Sequence, residues 1–242
     1  LMAGIACGKL KSTNALTALE ELIVSTENKD PILRHSGIMG LVGVATLRQL
    51  EDFVDHPSEA MRIAAVIALR HLGGIKELTK FIKDDSPQVM SDAIRAIYDE
   101  AQTQTYLDHP KSLSVIAEAL NPQHPPAVNV RAIAANRRLG TIVSAKRIST
   151  FLANPNLSHN LRIQGLYALK SWSKASRLDP IDGRYFPVLA GDMDALKEAI
   201  GPEIWALAND ADNNISRQAI AVLQSINPDR AKLDQENNRN NY

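Results

Sequence analysis

The chain has 242 residues, 45% of them hydrophobic and 5% aromatic, and its 27 basic and 27 acidic side chains balance to zero. That length and apolar content support one elongated domain, and the neutral balance argues against a dedicated polyanion binder. A single cysteine, Cys7, excludes internal disulfides and cysteine-rich metal sites, and no apolar run approaches a membrane span.

In chain order, Leu1 to Cys7 reads as the middle of an Ala/Gly-rich helix without a charged leader, as expected of a piece cut from a longer chain. A repeating unit then begins. Asp55 to Gly73 shows it best: a Pro57 turn, Ser58 as amino-terminal cap, and an apolar side built on Met61, Ala65, Ala68 and Leu72. Gly73-Gly74 supplies the left-handed stop. Small alanines let neighbouring helices approach closely, and such a helix buries its apolar side only against stacked copies of itself.

Six stretches share this pattern: Asp30 to Arg34, Pro57 to Arg62, Pro87 to Ser91, Pro126 to Arg131, Pro155 to Arg162 and Asp210 to Arg217. Each leads into small and aliphatic residues, as in Ala64 to Leu69 and Gly165 to Leu169. The reference position, an arginine in five copies and Ser91 in the third, recurs at intervals of 28, 29, 40, 31 and 55 residues. Two intervals are therefore stretched by inserted sequence. Shorter amphipathic segments between the joints, Thr46 to Val54, Ile75 to Ile82, Lys111 to Leu120, Thr141 to Leu152 and Met193 to Ala208, supply the first helix of each pair. Strand signals are nearly absent. The expected architecture is an all-α, right-handed α-solenoid of about six helix pairs over residues 1–227, with an inserted loop at 175–191 and a polar tail at 228–242.

The Asp-x-x-Pro-x-hydrophobic-Arg joint followed by an Ala-rich helix resembles HEAT repeats in their short bacterial form, over roughly Asn28 to Asn227. The resemblance implies that Arg34, Arg62, Arg131, Arg162 and Arg217 are scaffold residues tying adjacent turns. Asp30 to Gly37 and Asp182-Gly183-Arg184-Tyr185-Phe186-Pro187 also resemble the HEAT segment of large bacterial membrane-bound or secreted dehydrogenase-type proteins. Those proteins join a β-propeller, a HEAT region and a c-type cytochrome. Neither a propeller nor a Cys-x-x-Cys-His is present here, so no dehydrogenase activity carries over. What carries over is a spacer or interaction platform, with a periplasmic or cell-envelope location where that likeness holds.

No catalytic constellation emerges. The six histidines show no His-x-x-x-His pair, and His56, His109 and His124 stand beside prolines as solvent-facing turn residues. The adjacent carboxylates Glu20-Glu21, Glu51-Asp52 and Asp84-Asp85 read as solvated surface rather than two groups aimed at one cleft. Cys7 reads as a small packed residue. No cofactor and no metal are expected.

Charge distribution is uneven. Residues 1–100 carry 11 basic and 14 acidic side chains, whereas residues 119–178 carry nine basic side chains and no acid. Beyond the scaffold positions, Arg137, Arg138, Lys146, Arg147, Lys170, Lys174 and Arg177 are the candidate partner-binding cations, with Tyr185 and Phe186 on the inserted loop beside them. Two readings stand. The acids that follow, from Asp179 to Asp194, fold back and neutralise the stripe, or the stripe meets an acidic protein partner or a neighbouring domain of the same parent chain. Nucleic acid is disfavoured, and membrane insertion is not expected. The functional expectation is a non-catalytic scaffold or protein-interaction module. The alternatives are a HEAT-like nucleic-acid binder using residues 119–178 and a HEAT-like lyase acting on a prosthetic group.

Overall fold

The computed structural model describes residues 2–100, 109–172, 178–183, 185 and 193–227. Among them are thirteen α-helices and no strand, only an isolated antiparallel bridge between Leu178 and Tyr185. The chain divides into two compact units, Leu1–Ser112 and Leu113–Tyr242. Most of the inserted loop at 175–191, and the tail at 228–242, lie outside the described residues.

The first unit holds α1 (Met2–Lys9), α2 (Leu16–Thr26), α3 (Pro31–Val44), α4 (Leu47–Glu51), α5 (Glu59–His71), α6 (Ile75–Leu78) and α7 (Pro87–Glu100). The joint helices α3, α5 and α7 pack successively on one another, while α2, α4 and α6 each pair with the joint helix that follows. This two-layer stacking is the α-solenoid arrangement. The division falls within α8 (His109–Glu118). The second unit continues with α9 (Pro126–Leu139), α10 (Ile142–Leu152), α11 (His159–Lys170), α12 (Met193–Ala208) and α13 (Asn213–Ile226). Here α9, α11 and α13 form the joint layer, and α10 packs on α12 in the other.

Local chemistry explains where the joint helices start. Pro31, Pro87 and Pro126 occupy first helical positions, where a missing N–H costs nothing. Asp30 accepts the amides of Ile32 and Leu33 at 2.8 and 3.0 Å, and Ser58, Ser158 and Asp212 cap α5, α11 and α13 in the same manner. Gly73, at φ +70°, ends α5 in the left-handed conformation. Met61, Ala64, Ala65, Ala68 and Leu69 are fully buried. Leu72, expected on the same apolar side, is exposed, because it is already the capping residue past the last turn.

The first helices are shorter than their periodicity suggests. Thr46 to Val54 resolves into α4 and a 3-10 turn at Asp52–Asp55, and Ile75 to Ile82 into α6 and a 3-10 turn at Phe81–Lys83. Tightening to i→i+3 bonds lets each chain segment turn promptly into the next joint.

The joint arginines carry the scaffold at two sites. Arg62 donates through Nε and Nη2 to Asp84 at 2.7 and 3.2 Å, and through Nη1 to the His56 carbonyl at 2.8 Å. Arg162 donates to Asp210 at 2.5 Å. Arg131 and Arg217 reach carbonyls one turn back on their own helices. Asp84 is therefore not solvated surface: its side chain is 4% exposed and also accepts the Ser86 amide at 2.8 Å. The half-buried turn histidines likewise face protein as well as solvent. His56 Nδ1 accepts the Ser58 amide, and His124 Nδ1 meets the Ala119 carbonyl at 2.8 Å, because turn amides and carbonyls need partners.

Candidate functional site

The acid-free tract forms a pocket in the second unit rather than an open cationic stripe. On α9, Val130, Ile133, Ala134 and Arg137 fall at helical spacing on one side. That side faces α11, which contributes Gln164, Tyr167 and Ala168, and the turn Leu178 to Ile181 closes the third wall. The pocket is about 540 Å3, open on one side and mostly apolar.

Arg138 is 7% exposed and pairs with Asp179 at 3.2 Å, their side chains 2% and 0% accessible. The turn after α11 presents that carboxylate: Asp179 Oδ1 accepts the amides of Ile181 and Asp182 at 2.8 and 3.3 Å. Hydrogen bonds of this kind satisfy the remaining lone pairs of a carboxylate buried against a guanidinium.

Arg137, 6% exposed, has no acid in that role among the described residues. Its Nε donates to Ser171 Oγ at 2.9 Å and its Nη2 to the Ser171 carbonyl at 2.6 Å. The guanidinium carbon lies 4.8 Å from the centroid of the Trp172 ring, which is wholly buried. Nη1 is also buried and has no hydrogen-bond partner among the described residues. Burial pushes the Arg137 pKa down to about 10, so the group stays cationic at neutral pH.

The other candidate cations are placed differently. Lys146 on α10 pairs with Glu203 on α12. Arg147 donates to Asn136 Oδ1 at 2.8 Å, and Asn136 in turn donates to the carbonyls of Ala117 and Ala132, tying α9 to α8. Lys170 is exposed on the last turn of α11. Lys174, Arg177 and Phe186 lie outside the described residues. Of the candidate cations, Arg137 and Arg138 turn inward along the apolar side of α9, whereas Lys146 meets an acid on the next helix with its side chain 45% exposed. Tyr167 and Leu178, 53% and 57% exposed, line the pocket, and Tyr185, 65% exposed, bridges to Leu178.

Sequence reading missed Ser171 and Trp172 as the partners of Arg137, whereas Asp179 opposite Arg138 is one of the acids that the neutralising reading named. The available signal was the position of Arg137 four residues after Ile133 and seven after Val130, on the apolar side of its helix. Among the described residues no group of three His, Cys, Asp or Glu is placed to hold a metal ion, and no helix is long and apolar enough to cross a membrane.

No protein-family model matches the chain, and no curated protein does either. Among solved structures, the designed armadillo repeat protein YIII(Dq.V1)4CPAF in complex with peptide (KR)4 is similar at 19% identity and a TM-score of 0.48, over 88% of this chain and 92% of that one.

Proposed function

We propose that the chain is a non-catalytic HEAT-type scaffold whose second unit binds a protein partner at the mouth of the α9–α11 pocket. The observation that carries this reading is that two large exposed residues, Tyr167 and Leu178, line one opening, and that Tyr185, also exposed, bridges to Leu178. Aromatic side chains at the edge of an apolar depression are characteristic of protein-binding surfaces, where they supply contact area at low entropic cost. Lys170 stands three residues from Tyr167 on the same side of α11, so an acidic partner segment complements the surface. Nucleic acid fits less well, because Arg137, Arg138 and Lys146 are engaged internally. The likeness of Asp30 to Gly37 and Asp182 to Pro187 to dehydrogenase-type HEAT segments supports neighbouring domains of a longer bacterial chain as the first partners to test.

Site-specific photo-cross-linking tests the reading. A benzophenone side chain placed at position 185 of the natural full-length protein, in its own cells, is expected to yield one discrete adduct. Position 95, an exposed arginine in the first unit, serves as the control. Tyr167→Ala should weaken the position-185 adduct several-fold. Equal labelling from both positions, or none from 185, sinks the proposal.

A further inference from the structure

We infer that the turn before α5 is an acid-sensitive joint: His56 holds it closed only while its Nδ1 is unprotonated, and protonation releases the first turn of α5 from α2, on which it packs. The ground is a comparison of equivalent positions. Two residues before the capping residue of a joint helix, a side chain turns back to accept that capping residue's amide, as in an Asx turn. Asp84 Oδ1 accepts the Ser86 amide at 2.8 Å, and Asp210 Oδ1 accepts the Asp212 amide at 2.9 Å. Before α5 the same place is taken by His56, whose Nδ1 accepts the Ser58 amide at 3.0 Å.

The exchange matters because the two kinds of acceptor titrate in different ranges. An aspartate carboxylate remains an acceptor down to about pH 4, whereas imidazole changes charge between about pH 5 and 8. An imidazolium carries a hydrogen on both nitrogens and has no acceptor left. Protonating His56 in place therefore sets Nδ1–H against the Ser58 N–H, and turning the ring over puts a carbon there instead. In either case the amide loses its partner.

The surroundings of the ring settle its closed state. Nε2 lies 3.4 Å from Glu20 Oε1 on α2, so the closed joint uses the tautomer with its hydrogen on Nε2. Phe53 meets the ring edge-on, with centroids 5.9 Å apart. Arg62 on α5 donates to the His56 carbonyl, with Asp84 behind it, and Asp55 and Glu59 are exposed neighbours in the chain. Glu20 favours the imidazolium and Arg62 opposes it. The Glu20 side chain is 35% exposed, so its attraction is that of a screened surface pair. The Ser58 amide bond is part-buried, and a donor stranded there does not fully regain water. The lost bond prevails. The open joint binds a proton that the closed one excludes, so closure is complete at higher pH and is lost as pH falls through the imidazole range.

Nuclear magnetic resonance on the whole chain tests this. At about pH 7.5, nitrogen-15 spectra of the imidazoles should show His56 with a hydrogen on Nε2 and a bare Nδ1. Between about pH 7.5 and about pH 5.5, protection of the Ser58 amide, corrected for intrinsic exchange, should fall by about ten-fold or more. The Ile181 amide, held by Asp179, should change little. His56→Asn supplies an acceptor that does not titrate, as Asn154 does for the Asn156 amide, and should keep Ser58 protected at both pH values. His56→Ala should leave it unprotected at both. Glu20→Gln removes the carboxylate that favours the imidazolium and should move the midpoint of the loss to lower pH. His35→Asn, at an exposed histidine of the same unit, should change nothing. A hydrogen on Nδ1 at the higher pH, a loss of protection that survives in His56→Asn, or protection unchanged across the range overturns the inference. The wild-type titration decides even where a variant does not fold.

Discussion

Asp84→Ala is the substitution that most directly tests how the joints hold. Asp84 accepts Arg62 Nε and Nη2 at 2.7 and 3.2 Å and the Ser86 amide at 2.8 Å, so its loss strands three donors. Breaking a buried ion pair by removing one partner costs about 3–5 kcal/mol, because the surviving charge keeps its desolvation penalty. The lower end applies here. Arg62 keeps the His56 carbonyl at 2.8 Å, and its side chain is 16% exposed, so water reaches the vacancy. At about 4 °C per kcal/mol for a unit of this size, a loss of about 3 kcal/mol lowers the melting midpoint of the first unit by roughly 12 °C. Differential scanning calorimetry on wild type, Asp84→Ala, Arg62→Met and the double variant measures both the loss and the coupling. The double variant should lose much less than the sum of the two single losses. If Asp84→Ala shifts stability by less than about 0.5 kcal/mol, the pair behaves as an exposed surface bridge and the joint reading is wrong.

Leu69→Ala in the first unit and Leu166→Ala in the second, both fully buried, should each destabilise by about 2–5 kcal/mol in urea melts. Gly43→Ala should destabilise the α1–α3 packing by about 1–3 kcal/mol on thermal denaturation. The added Cβ would lie 2.1 Å from the Gly8 carbonyl oxygen, which is backbone and cannot rotate away. Acid should weaken the second unit. The amide of Asp212 holds the Asp210 carboxyl below its ordinary pKa, and the amide of Asn214 does the same for Asp212. A depressed folded-state pKa gives stability that is complete above the unfolded value, about 3.9 for aspartate, and is lost as pH falls through the folded value. Asp210→Asn with Asp212→Asn should therefore flatten the acid limb of a stability-against-pH curve below about pH 4.

The repeat architecture was legible because its signals are local. A proline or capping side chain, a run of small apolar residues at helical spacing and a breaker act within a few residues of one another, and all six joints became helices, α3, α5, α7, α9, α11 and α13. The first helices were less legible at their ends. Thr46 carries a capping box with Gln49, which marks where α4 begins, whereas the change to a 3-10 turn at Asp52 depends on where the next joint must start. Asp84 and Asp85 show a second limit. Adjacent in sequence and identical in type, they read alike, yet Asp84 turns onto Arg62 while Asp85 is exposed.

The pocket was hidden for a related reason. Counting charge along the chain finds an acid-free tract but not which way each side chain turns. A long arginine stem can lie along apolar neighbours while its head seeks acceptors, so membership of a basic run and burial on an apolar side are compatible. On α9 they coincide in Arg137. The helix supplies the apolar side, the residues just after α11 supply Ser171 and Trp172, and Asp179 on the next turn neutralises Arg138. Neutralising one arginine and not its neighbour is what makes the site asymmetric. Had both met acids, the cavity would be a closed structural network. Had neither, two adjacent buried cations would repel in a medium of low dielectric constant.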